Sequence, residues 1–224
     1  MKMNIALISD YLETYEGRDK FLKALSYTAK LFTLGATSRE TERKLRIFSS
    51  RMSECRVILR LLDDIPMIHY ATTYEWGRKE PDWLIRWAEL VQITMDVVYC
   101  PIEHISWAGE QELIKINNEA WDNVSTWFWI VSLHLSLTNV SVNRPKLLKT
   151  SKIPVLRYVK KQGRNELLSC IRLTLDITYA VSYLPLGVLW GGKLNTWQVG
   201  ALGTLSSLIG LYQALSKRIG NKCS

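Results

Sequence analysis

Two stretches of this chain carry no Asp, Glu, Lys or Arg: residues 123–143 and residues 194–216. They cover 21 and 23 positions. A membrane-spanning helix needs about 20 mostly apolar residues. An uncharged helix of that length must be buried by protein or by lipid. The second stretch, TWQVGALGTLSSLIGLYQAL, is the more apolar and ends at Lys217 and Arg218. The first, NVSTWFWIVSLHLSLTNVSVN, is aromatic-rich but holds His134 and several Ser, Thr and Asn. Trp121, Trp127, Trp190 and Trp197 cluster near their ends, as in an aromatic belt at a membrane surface. Both stretches are candidate spans; the competing reading is two buried helices of a soluble bundle.

The rest of the chain reads helical, with no alternating strand pattern and no internal repeat. Asp10 and Glu13 fit a capping pair for a short first helix, which Gly17 breaks. A second helix is expected at about 20–34. Thr37 and Glu40 cap a third that runs from about 38 toward Pro66 and continues, kinked, to Tyr74. Pro81 opens a fourth, 81–100; Pro101 interrupts it, and Gly109 closes the next segment. The expected fold is an all-α integral membrane protein with about two transmembrane helices. Residues 1–118 form an N-terminal helical region with an amphipathic, membrane-active helix at about 38–65. Residues 119–143 are the first candidate transmembrane helix. Residues 144–193 are a basic linker followed by an apolar segment. Residues 194–216 are the second transmembrane helix, and 217–224 a short basic tail.

The third helix carries the clearest pattern. Leu45, Phe48, Met52, Cys55, Leu59 and Leu62 step by 3, 4, 3, 4 and 3, which draws one apolar stripe along a helix. Arg43, Arg46, Arg56 and Arg60 lie outside the stripe, and Arg39 to Arg60 holds seven bases and three acids. A basic amphipathic helix of this kind can lie in a membrane interface. The same pattern also fits a helix packed on a core with solvated charges. In the last uncharged stretch, small residues recur every four positions: Thr196, Gly200 and Thr204 in one row, Gly203 and Ser207 in another, Ser206 and Gly210 in a third. Such rows let helices approach closely in lipid. Gly200, Gly203, Thr204, Ser207 and Gly210 are therefore the expected oligomerisation face.

The net charge of +8 favours anionic partners. Four scattered Cys, with no CxxC pair, argue against a disulfide framework or a zinc ribbon. The N-terminal apolar run is too short for a signal peptide, and the C-terminal NKCS is neither a prenylation box nor an SKL address. No phosphate loop, GxGxxG, GxSxG or HExxH is present, so no enzyme, cofactor or metal is expected. The segment YCPIEHISWAG comes nearest to a ligand set, with Cys100, Glu103 and His104 at i, i+3 and i+4. The other histidines, His69 and His134, are far off in sequence, and adjacent Glu103 and His104 point about 100° apart on a helix. A polar cluster at a proline-kinked helix is the expected arrangement.

The motif YEGRDKFLKALSY at 15–27 resembles the N-terminal signature of the peroxin-11 family of peroxisomal membrane proteins. SECRVILRLLDDIPM at 53–67 is similar to its basic amphipathic region. YCPIEHISWA and LPLGVLWGGKLNTWQVGALGTLSSLIGLYQA are similar to the gamma-type branch, and the resemblance covers about 11–215. It implies a non-enzymatic, multi-pass protein of the peroxisomal membrane that elongates and remodels the membrane before fission. Leu45 to Leu62 would form its membrane-insertion face, and Arg43, Arg46, Arg56 and Arg60 would contact lipid phosphate. The implied partners are anionic membrane lipid, further copies and related family members, a fission adaptor, a dynamin-like GTPase and the peroxisomal membrane-protein import receptor, with no nucleic acid. The alternative is a pore for small metabolites, lined by His134 and the Ser/Thr rows.

Overall fold

The computed structural model describes residues 5–78, 80, 82–149 and 156–222, and among these every regular element is helical. They form α1 (Ile5–Leu12), α2 (Tyr15–Phe32), α3 (Arg39–Arg60), α4 (Asp64–Thr73), α5 (Trp83–Glu110), α6 (Asn118–Lys149), α7 (Leu156–Val181) and α8 (Thr196–Lys222). The chain divides into two compact units: residues 1–59 with 194–224, and residues 60–193.

Helix starts follow local chemistry, with shifts from the sequence reading. Thr14 caps α2 by accepting from the Gly17 amide at 3.2 Å. Gly17 is not a breaker. It lies in the first turn of α2, where a Cβ would stand 1.9 Å from the Tyr11 carbonyl oxygen. Close backbone approach, rather than helix termination, requires glycine there. Ser38, not Thr37, holds the start of α3 by accepting from the Thr41 amide at 3.1 Å. The α3–α4 break falls at 61–63, before Pro66 rather than at it. Pro101 does not interrupt α5, which continues unbroken to Glu110. A proline inside a helix loses one backbone bond; just beyond it, Glu103 and His104 are held by Arg60 and Asp64.

In the first unit, α2 packs against α8 in antiparallel fashion. Gly200 lies on the backbone of Lys30 and Leu31, and Gly203 lies under the Tyr27 ring. At the other end Arg218 donates to the Asp10 carbonyl at 2.6 Å and stacks over Tyr11 at 5.2 Å. In the second unit, α6 lies between α5 and α7. Its Trp129, Leu133 and Leu137 pack with Ile177, Ala180, Val181 and Leu184 around buried Ile130. The loop after α7 folds back: Trp190 donates from Nε1 to the Thr178 carbonyl at 2.7 Å. Gly192, at φ +66, lets its amide reach the Ser182 carbonyl.

Of the expected pair of transmembrane helices, the structure supports the second. Among the described residues, only α8 is long and apolar enough to cross a membrane, over Thr196–Gly220. Only 33% of its apolar window is buried in the fold, unlike the core helix of a soluble bundle. Residues 119–143 do belong to α6, but their Ser, Thr, Asn and His lower the hydropathy below a span. Helix α6 also runs on past 143 to Lys149, and α7 begins at Leu156, so the expected basic linker narrows. Its side chains from Arg144 to Lys161, and Lys152 entirely, lie outside the described residues.

The α2–α8 contact makes a sharp prediction. Gly200→Ala places a methyl 2.2 Å from the Leu31 amide nitrogen, while Gly35→Ala meets nothing within 4 Å. Thermal melts in mild detergent should show Gly200→Ala less stable by about 1–3 kcal/mol and Gly35→Ala unchanged.

Candidate functional site

Helix α3 is seated by polar contacts and carries its apolar residues outward. Its sole buried residue is Ser49. The buried hydroxyl of Ser26 donates to the Ser49 carbonyl at 3.0 Å and lies 2.8 Å from Ser53 Oγ. Arg56 donates to Asp19 at 2.8 Å, with both side chains largely buried. Small Ser side chains at 49 and 53 let α2 and α3 approach, and their hydroxyls must pair when buried. The apolar stripe faces elsewhere. Leu45, Met52 and Leu59 are half-buried, whereas Phe48, Cys55 and Leu62 are exposed. Ile47 and Ile58, 48% and 53% exposed, widen the stripe. The 3–4 stepping rule passed over both because they sit on its outer edge.

The arginines expected on lipid phosphate are mostly engaged within the chain. Arg46 donates to Glu42 at 2.7 Å and to Thr196 at 2.7 Å. Arg56 is held by Asp19 and Arg60 by Glu103. Arg43 is exposed. Exposed Lys44 and Arg51 pair with Glu40 at 2.6 Å and Glu54 at 2.8 Å. Solvent-facing pairs of this kind contribute little and exchange partners easily. Spacing alone could not separate these cations from those that neutralise buried acids.

The small-residue rows of α8 are taken up by the chain itself. Gly200 and Gly203 receive α2, Ser206 and Ser207 are buried, and Lys23 Nζ lies 3.4 Å from Ser206 Oγ. Gly210 is buried and Thr204 half-buried. Ser207 returns its hydroxyl to the Gly203 carbonyl at 2.6 Å. The expected oligomerisation face is therefore an intramolecular face, because residues without bulk serve any close helix partner. The outward side of α8 shows Leu205, Leu208 and Tyr212 instead.

Cys100, Glu103 and His104 share α5 but do not converge. Buried Glu103 accepts from Arg60 Nε and from the Tyr99 hydroxyl, both at 2.9 Å. His104 bonds through Nδ1 with the Cys100 carbonyl at 2.8 Å, and its Nε2 lies 3.4 Å from Asp64. Asp64 thus faces His104, and Arg60 meets Glu103. Cys100 donates to the Asp96 carbonyl at 3.3 Å. Burial first, and then nearby Asp64, push its thiol up to about 12. Burial and the Glu103 charge likewise raise the Tyr99 phenol above its ordinary range. The cluster is a structural anchor made of one ion pair and its supporting hydrogen bonds. On α6, His134 is bonded to the Ile130 carbonyl of its own helix at 3.2 Å.

Residues 5–215 match the family model described as Peroxisomal biogenesis factor 11 (PEX11). The chain belongs to the PEX11 family. It is 32% identical over 223 residues to the Homo sapiens protein named Peroxisomal membrane protein 11C, covering 92% of each chain. The Mus musculus protein of the same name is 30% identical over 93% of each. Peroxisomal membrane protein 11-1 of Oryza sativa subsp. japonica is 24% identical over 97% of this chain and 94% of its own. No solved structure matches the chain. The PEX11 family is one of peroxisome biogenesis factors and is not a known enzyme family.

Two outcomes test the cluster. Glu103→Gln removes the buried carboxylate charge that Arg60 meets and should destabilise the fold by about 1–3 kcal/mol in denaturant melts. At pH 8 iodoacetamide should modify exposed Cys55 well before Cys100, whose thiol keeps its proton below about 12. Peptide mass mapping over time reads the order.

Proposed function

We propose that this PEX11-family chain is a protein of the peroxisomal membrane that elongates and remodels it ahead of fission. The observation that carries this reading is the apolar face of α3, which the folded chain leaves uncovered. Phe48, Cys55, Ile47 and Ile58 all face solvent. Each large apolar side chain that moves from water into lipid gains about 1.5–3 kcal/mol. Shallow entry of this face adds area to one leaflet, and unequal leaflet areas favour curvature. Exposed Arg43, Lys44 and Arg51 flank the face and can meet phosphate, since the pairs of Lys44 and Arg51 are solvent-facing. The names of the mammalian and rice relatives place those proteins in the peroxisomal membrane, which supports the same compartment here.

Helix α8 supplies the transmembrane anchor in this reading. Self-association, together with other family members, concentrates the wedges. It uses the outward Leu205–Leu208–Tyr212 side of α8 rather than the glycine rows. A fission adaptor and a dynamin-like GTPase complete division, and the peroxisomal membrane-protein import receptor inserts the chain.

Phe48→Glu with Ile58→Glu should abolish peroxisome elongation in cells that overproduce the protein. Melting in detergent should stay within about 1 kcal/mol of wild type, because both side chains are about half exposed and neither belongs to the buried core. Unchanged elongation would refute the wedge. With α8 as the crossing, protease protection should find tags at residue 1 and within 150–155 on one side of the membrane and a tag at residue 224 on the other.

A further inference from the structure

The second unit holds an exposed indole face that the α3 mechanism does not use. Trp83 and Trp87 stand one turn apart on α5 and are 71% and 60% exposed. Leu84, Val91 and Val98 continue the same face, each more than 40% exposed. Between Trp83 and Val98 the helix has three charged residues: Arg86, Glu89 and Asp96. All three project to other sides and have partners within the chain. Arg86 donates to the Trp76 carbonyl at 2.6 Å, Glu89 accepts from the Tyr70 hydroxyl at 2.8 Å, and Asp96 accepts from Ser132 at 2.8 Å. The exposed face is thereby cleared of charge for four helical turns.

A strained turn adds a third indole. Glu75, Trp76 and Gly77 have φ of 46°, 59° and 67° in succession. Left-handed backbone is costly for a bulky L residue. Trp76 nevertheless holds it and is 72% exposed, so nothing in the unit repays the strain by burying the ring. The Arg86 bond to its carbonyl locks the turn against the start of α5.

We propose that this face of α5, with Trp76, lies flat in the lipid interface of the membrane. This rests on the membrane reading above. The occupant follows from chemistry. Indoles partition to the layer between headgroup and acyl chain, with the ring apolar and the N–H wet. Behind the indoles the charge-free aliphatic stretch of Leu84, Val91 and Val98 meets acyl carbon. Exposed Arg78 sits at the tryptophan end, where lipid phosphate would lie; exposed Glu75 is its neighbour in the turn. The α5 face is a second interfacial contact, apart from the wedge. It would set the depth of the second unit on the membrane rather than bend the bilayer.

The test uses the full chain in vesicles of phosphatidylcholine and phosphatidylinositol. An environment-sensitive fluorescent amino acid is placed at residue 84, at 208 on α8 or at exposed residue 112. Headgroup-proximal spin-labelled phosphatidylcholine is the quencher for 84 and 112, and phosphatidylcholine spin-labelled deep in the acyl chain is the quencher for 208, the midpoint of the α8 span. The expected result is a blue shift and loss of emission at 84 and 208, with little change at 112. Trp83→Ser with Trp87→Ser should weaken quenching at 84 while leaving 208 unchanged. Trp76→Gly removes the backbone strain and should weaken quenching at 84 without lowering the melting temperature. Quenching at 208 with none at 84 overturns the proposal and leaves the membrane reading standing. Self-quenching between labels at 84, without lipid quenching, overturns it in favour of an interface between copies. No lipid quenching at either position overturns both readings together.

Discussion

The contact between α2 and α8 closes the first unit, and it depends on two missing side chains. At Gly200 and Gly203 the helices come closer than any Cβ would permit, one on backbone and one on the Tyr27 ring. That approach runs the length of both helices, from Leu31 near one end to Asp10 and Arg218 at the other. It binds segments at opposite ends of the sequence, so residues 60–193 are an insertion within the chain of that unit. The stretch YEGRDKFLKALSY lies in α2, and the most apolar stretch of the chain lies in α8. Each is the other's packing partner. Lys30 lies 5.1 Å over the Tyr27 ring and Lys23 meets Ser206, so even the cations of α2 are fitted to this contact.

Charge is handled the same way in both units. Arg56 with Asp19, Arg60 with Glu103, Arg86 with the Trp76 carbonyl and Asp96 with Ser132 and Gln92 each keep a charged group satisfied inside the fold. Burying a charge without such a partner is costly. The consequence appears on the outside. With those charges turned inward, α3 and α5 are left with apolar faces that a soluble monomer would rarely display. The described fold therefore accounts for its polar groups better than for its hydrophobic ones, as expected where lipid supplies part of the burial.

The helical class, the amphipathic α3 and the apolar α8 were legible because periodicity and hydropathy are local properties. Residues three and four apart share a face whatever the rest of the chain does. The family was legible through the order of short motifs. What each face touches was not legible. The α8 glycine rows looked suited to another copy, yet their spacing specifies only closeness and α2 uses it. The α3 arginines looked alike, yet Arg56 and Arg60 meet acids 37 and 43 residues away. Pro101 looked like an end, yet α5 continues through it, and beyond it Glu103 and His104 meet Arg60 and Asp64, contacts that no local rule contains. Ile58, Trp76, Trp83 and Trp87 drew no attention in the sequence, since exposure depends on what fails to pack over a residue.

By itself, then, the sequence determined that this chain is helical, that two uncharged stretches are candidates to cross a bilayer and that one helix is two-faced. Only the tertiary structure decided which faces are spent on the protein and which remain for lipid. Pattern fixes the direction in which a side chain points along its own helix. Long-range packing fixes what stands in that direction.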